Sequence, residues 1–196
     1  MAGNMRNGGG RRGSRWSMAI WTAAGLILLL PLIATAFTDE MNWDAADFIL
    51  LGAMLATACG ACELAGRTRD GGAYRAAVGV AVAAAFILVW MNLAVGVIGT
   101  EEDPANLMFA GVLAVAIVGA ALARIRPRGM ARASVATALA QMLVAVIALS
   151  AGMQHGGHSP AAEILGVNAS FAALWLTSAW LFLRAAREKP PADAAR

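Results

Sequence analysis

Six apolar runs alternate along the chain with short polar segments, at about 17–38, 46–66, 76–99, 104–123, 131–153 and 161–183. None shows the alternation of apolar and polar positions that marks a strand. Each is close to the roughly 20 residues that carry a helix across a hydrocarbon core of about 30 Å. Inside a bilayer the backbone must satisfy its own hydrogen bonds, so continuous apolar runs of this length predict helices. The short connections make sequence neighbours antiparallel neighbours. The pattern therefore predicts an all-α integral membrane bundle of six transmembrane helices over residues 16–188. It is flanked by an unstructured basic tail at 1–15 and a short C-terminal tail at 189–196.

Composition supports the same class. Hydrophobic residues make up 60% of the 196 positions and charged residues 14%, and mean hydropathy is +0.66. A soluble domain carries about 25% charged residues, so this chain has too few charges to cover a soluble globule. The formal net charge of +3 does not point to nucleic acid, because no basic stripe interleaved with aromatics occurs.

The placement of the charges says more than their sum. All 15 Lys and Arg residues fall in the tail before the first run, after the second, after the fourth, or after the sixth. They form the groups Arg6, Arg11, Arg12, Arg15; Arg67, Arg69, Arg75; Arg124, Arg126, Arg128, Arg132; and Arg184, Arg187, Lys189, Arg196. The alternate segments carry Asp39, Glu40, Asp44 and Asp47, then Glu101, Glu102 and Asp103, then Glu163, with no Lys or Arg among them. By the positive-inside rule both termini are expected in the cytoplasm. The first run also resembles a secretory signal, with Ala34-Thr35-Ala36 as a small-residue cleavage site. Its apolar core is long for one, so an uncleaved helix is the expectation.

Two segments carry a resemblance. Gly99-Thr100-Glu101-Glu102-Asp103-Pro104-Ala105-Asn106-Leu107-Met108 and Arg126-Pro127-Arg128-Gly129-Met130-Ala131-Arg132 resemble a group of uncharacterised small multi-pass inner-membrane proteins of bacteria. The likeness extends over roughly residues 40–185. It implies the bacterial inner (cytoplasmic) membrane and supplies no activity, cofactor or site. The Cys59/Cys62 pair and the histidine loop are not features of that group.

Polar residues within the runs are the candidates for chemistry, since each needs a partner in the membrane. Glu63 is the ionisable side chain inside a span, one turn from its end and four residues before Arg67. It reads first as an interfacial pair, and second as a carboxylate at the mouth of an ion route. Ser134, Thr137 and Gln141 share one helical face, Asn92 and Asn168 share a depth, and Thr57 and Gln141 lie near the midplane. Interhelical hydrogen bonding is their first reading and a polar route their second. Small residues at four-residue spacing, Gly52, Ala56, Gly60 and Gly79, Ala83, suggest close packing or self-association. Cys59 and Cys62 have metal or redox spacing, but within a helix they read as packing residues. Met153, His155 and His158 offer a thioether and two imidazoles for copper or zinc, an incomplete set in a glycine-containing turn. Asp44 and Asp103 are expected to cap helices, the latter with Pro104 at the first helical position.

No nucleophile–base pair, phosphate-cradling glycine loop or paired intramembrane carboxylate occurs in the sequence. The expected role is non-enzymatic and needs no cofactor. The chain would sit in the lipid bilayer as an accessory or structural subunit, packing against other membrane subunits or as a homo-oligomer. A small transporter or channel using Glu63 and Gln141 is the alternative, and periplasmic metal binding through His155 and His158 is the third reading. Reporter fusions after residues 40, 72, 102, 129, 156 and 190 should alternate between outside and inside. An outside signal at 72 or 129 contradicts the topology, and a mature N-terminus at Phe37 would identify the first run as a cleaved signal.

Overall fold

The computed structural model describes residues 8–37 (side chains from Trp16), 43–68, 71–98, 103–152 and 160–188. The described residues form α1 (Gly8–Phe37), α2 (Ala45–Thr68), α3 (Gly72–Ala94), α4 (Met108–Ala123), α5 (Pro127–Ser150) and α6 (Ala161–Ala185). A 3₁₀ turn at Pro104–Leu107 leads into α4, and no strand occurs among the described residues. Six helical stretches, the first being Trp16–Phe37, are long and apolar enough to cross a membrane. The all-α, multi-pass expectation is met. α1 differs in its start: residues 8–15, expected as tail, are helical. Gly8, Gly9, Gly10 and Gly13 are poor helix formers, so this start rests on propagation from the apolar span, since an established helix extends more easily than a new one nucleates.

Local chemistry explains the other helix ends. Asp44 Oδ1 accepts from the Ala46 and Asp47 amides at 2.7 and 3.1 Å, and Asp47 Oδ2 accepts from the Asp44 amide at 3.0 Å. This reciprocal box satisfies donors that a first turn leaves open. Asp103 Oδ1 takes the Ala105 amide at 2.9 Å, with Pro104 next in the 3₁₀ turn. α3 stops at Ala94, five residues before the expected end. Gly96 adopts φ 75°, and Asn106 then holds the turn: its Oδ1 accepts from the Val97 and Ile98 amides, both at 3.0 Å. Its Nδ2 donates to the Ile98 carbonyl at 3.2 Å. Arg126 is extended and Pro127 opens α5, the pairing that proline's ring imposes on its predecessor. The two residues before them, Arg124 and Ile125, both have left-handed φ, 46° and 63°. For β-branched Ile125 this conformation costs about 1–3 kcal/mol.

The chain divides into two compact units, residues 1–70 and 71–196. In the first, α1 packs on α2 as an antiparallel hairpin, and Ala24 is the hydrophobic residue of α1 that is buried. Trp21, Leu26, Leu30 and Phe37 are exposed, which suits a helix facing lipid. In the second unit, α3 packs on α6, α6 on α5, and α5 on α4, whereas α3 and α4 touch little. Neighbours run antiparallel. Tyr74 at the start of α3 meets Phe182 near the end of α6, ring centroids 5.3 Å apart. Arg75, the group Arg124 to Arg132, and Arg184 with Arg187 therefore gather at one end of this unit. Asp103 and Glu163 lie at the other. Leu88, Phe109, Val112, Ala145, Ala148 and Ile164 form the core near that second end.

Close helix approach occurs where the sequence pattern did not place it. A Cβ added at Gly52, Gly60 or Gly79 would meet nothing within 4 Å, so these glycines bring no described helices together within their own units. Gly119 and Gly129 do. A Cβ at Gly119 would stand 2.8 Å from Ala133 Cβ, and one at Gly129 would stand 2.9 Å from Ala123 Cβ. α4 and α5 thus meet through glycine on each side, alternating with alanine. Gly119→Leu should destabilise the protein by about 1–3 kcal/mol through overpacking. Gly79→Leu should cost less than about 1 kcal/mol, the range for a substitution without steric conflict. Unfolding in mixed micelles would measure both, and equal losses would contradict the assigned packing.

Candidate functional site

The buried polar residues of the second unit collect on one seam between α5 and α6. Ser134, Thr137 and Gln141 do share a face, and all three are buried together with Asn168 and Ser178. Gln141 and Asn168 have no solvent exposure at all. Asn168 Nδ2 donates to the Ile164 carbonyl one turn back, at 2.8 Å. That bond fixes which way the amide faces, leaving Oδ1 to accept from Gln141 Nε2 at 2.9 Å. One helix carbonyl thus sets the orientation of two side-chain amides in sequence, a relay that strengthens each bond at low dielectric.

The second junction joins three helices. Ser178 Oγ donates to the Ala77 carbonyl of α3 at 2.9 Å and lies 3.5 Å from Ser134 Oγ of α5. Thr137 instead donates to the Ala133 carbonyl at 2.9 Å, the i−4 bond by which a hydroxyl in a helix satisfies itself. Asn92 does likewise, donating to the Leu88 carbonyl at 2.8 Å, and so does not pair with Asn168 at its shared depth. Gln141 Oε1, Asn92 Oδ1 and Trp175 Nε1 are buried without a hydrogen-bond partner among the described residues. The seam's own side chains are neutral amides and hydroxyls. They can bind helices together and can neither donate a proton to a substrate as an acid nor coordinate a metal as a thiolate or imidazole would.

Glu63 and the cysteines belong to the α1–α2 hairpin. Glu63 Oε1 accepts from Arg67 Nη2 and from Ser17 Oγ, both at 3.0 Å. The Arg67 side chain is 75% exposed and that of Glu63 26%, so water screens this pair and it adds little to stability. The serine bond ties Glu63 to α1. Thr57 donates to the Ala53 carbonyl at 2.8 Å and joins no other helix. Cys59 and Cys62 are free thiols. Cys59 is buried and aimed at the Ile20 carbonyl, 3.9 Å away, which makes it a packing contact of the hairpin. Met153, His155 and His158 lie outside the described residues. Among those described, no group of three or more His, Cys, Asp or Glu is placed to hold a metal ion.

Comparison with protein-family models, curated proteins and solved structures finds none that matches this chain. The site is therefore read from its own geometry.

Three contributors were not singled out from sequence: Ser17, Asn106 and Ser178. Ser178 had a signal, because Asn168, Phe171, Trp175 and Ser178 follow the three–four–three spacing of one helical face. Ser17 is 46 residues from Glu63, and no local pattern marks it. A double-mutant cycle on Gln141→Leu and Asn168→Leu should give a coupling of about 0.6–1.7 kcal/mol, the range for interhelical hydrogen bonds in membranes. Strictly additive losses would show that the amide–amide bond contributes nothing to the unit.

Proposed function

We propose that this protein is a non-enzymatic, multi-pass subunit of a bacterial inner membrane, serving an accessory or structural role against other membrane proteins or a second copy of itself. The observation that carries this reading is the closed state of the α5–α6 seam. Gln141, Asn168, Ser134 and Ser178 bond to one another or to backbone and are sealed from solvent. A conduction route needs polar groups that face a wetted path and exchange partners with the passing ion or solute. Groups engaged chiefly in holding helices, with only the Gln141 Oε1 acceptor left over, favour a packing role instead. Glu63, the ionisable member of the transporter alternative, belongs to the other compact unit and already accepts from Ser17 and Arg67.

The orientation in this proposal, with both termini cytoplasmic, rests on the clustering of arginines. The antiparallel packing of the second unit supports it by gathering seven of them at one end. Exposed apolar side chains on α4 and α6, including Ile117, Leu122, Leu165 and Leu176, provide faces for lipid or for another membrane helix.

Extraction in mild detergent followed by mass analysis of the intact assembly tests the role. A stoichiometric second subunit or a defined homo-oligomer is the expected result. A strict monomer that carries a saturable ion flux in liposomes, lost in Gln141→Leu, would replace this reading with the transporter.

A further inference from the structure

α6 ends in a surface feature that the helix packing does not use. Trp180, Leu183, Arg184 and Arg187 line a pocket of about 280 Å³, near the lower limit of roughly 300 Å³ for ligand pockets. They follow one another at i, i+3, i+4 and i+7, so they occupy a single stripe of the helix. Trp180 is 57% exposed and Leu183 45%. The Arg184 guanidinium carbon sits 5.7 Å from the centre of the Trp180 ring, within cation–π range. Neither Arg184 nor Arg187 makes an ion pair with a described residue. The nearby carboxylate of Glu188 is turned elsewhere, since its Oε2 lies beside Gly71 at the start of α3.

We propose that this stripe binds the phosphodiester headgroup of one anionic phospholipid. Three observations favour that occupant. The charges begin where the apolar span ends, at Ala185, which is the depth of lipid phosphate. Leu176, Trp180 and Leu183 continue down the same exposed side and give an acyl chain an apolar surface. Two guanidiniums present forked N–H donors that match phosphate oxygens, and tryptophan is a residue of the headgroup boundary. The last carbonyls of α6 carry a partial negative charge of about half a unit, which two full positive charges exceed. The proposal requires only that α6 span a bilayer and does not depend on the accessory-subunit reading.

The test is lipid titration of the full-length protein in mild detergent, followed by mass spectrometry of the intact complex. The probes are phosphatidylglycerol, phosphatidylcholine and soluble glycerol phosphate. One phosphatidylglycerol should bind saturably, with phosphatidylcholine and glycerol phosphate far weaker. The double variant Arg184→Gln, Arg187→Gln should bind phosphatidylglycerol about 30-fold less tightly, from a roughly fivefold effect for each basic residue near a membrane surface. Arg128→Gln with Arg132→Gln removes the same charge from exposed positions at the same end of the unit and should change binding little. Trp180→Ala keeps both charges and should still weaken binding several-fold. Equal loss in the two double variants would overturn the site in favour of diffuse attraction. Equal binding of phosphatidylcholine would overturn its selectivity for anions. Tight binding of glycerol phosphate would reassign it to a soluble phosphate. A protein released by the Arg184/Arg187 variant, with lipid binding unchanged, would reassign the face to a protein partner.

Discussion

Within hydrocarbon a polar side chain has no water to return to, so it must find its partner in the protein. The Gln141–Asn168 bond shows how that constraint acts on this chain. Each amide has its orientation dictated by the one before it, starting from the Ile164 carbonyl, and the series ends inside the protein. Lipid offers apolar side chains nearly what a neighbouring helix offers, so leucines alone specify little about which helix pairs with which. Directional bonds do specify it. Ser178, with its contacts to Ala77 and Ser134, selects α3 and α5 as the neighbours of α6.

Steric fit works beside these bonds. Between α4 and α5 there is no polar contact comparable to the α5–α6 seam. The pair is defined by Gly119 against Ala133 and Gly129 against Ala123, where the missing methyl groups let the backbones close in. The connection between the two helices is only three residues long. It holds Arg124 and Ile125 in left-handed conformations, and the close packing on either side is what offsets that local cost. α4 and α5 are joined by shape, and α5 and α6 by chemistry.

Helix number, type and approximate position were legible because twenty-residue apolar runs have few alternatives in physics. The shared face of Ser134, Thr137 and Gln141 was legible from spacing alone. Pairing was harder to read. Hydropathy is nearly uniform around these helices, so it marks no inner face, and four-residue spacing of small residues arises readily in an alanine-rich chain. Gly52, Gly60 and Gly79 had that spacing and bring no described helix close within their own units, while Gly119 and Gly129, ten residues apart across a turn, lacked it and do. The shortened end of α3 depends on Asn106, eight to nine positions away in the chain. A window centred on either site does not see the other.

The three-helix junction at Ser178 has a consequence for biosynthesis. α4 and α5 can zip together as soon as both have entered the membrane, because their contacts are local in sequence. α3 cannot settle in the same way: its principal neighbour, α6, is translated after α4 and α5, and the Ala77–Ser178 bond spans 101 residues. Until then α3 has lipid in place of its protein neighbour. The order of assembly therefore differs from the order of synthesis, and the four-helix unit closes only when α6 arrives between two helices that were made before it.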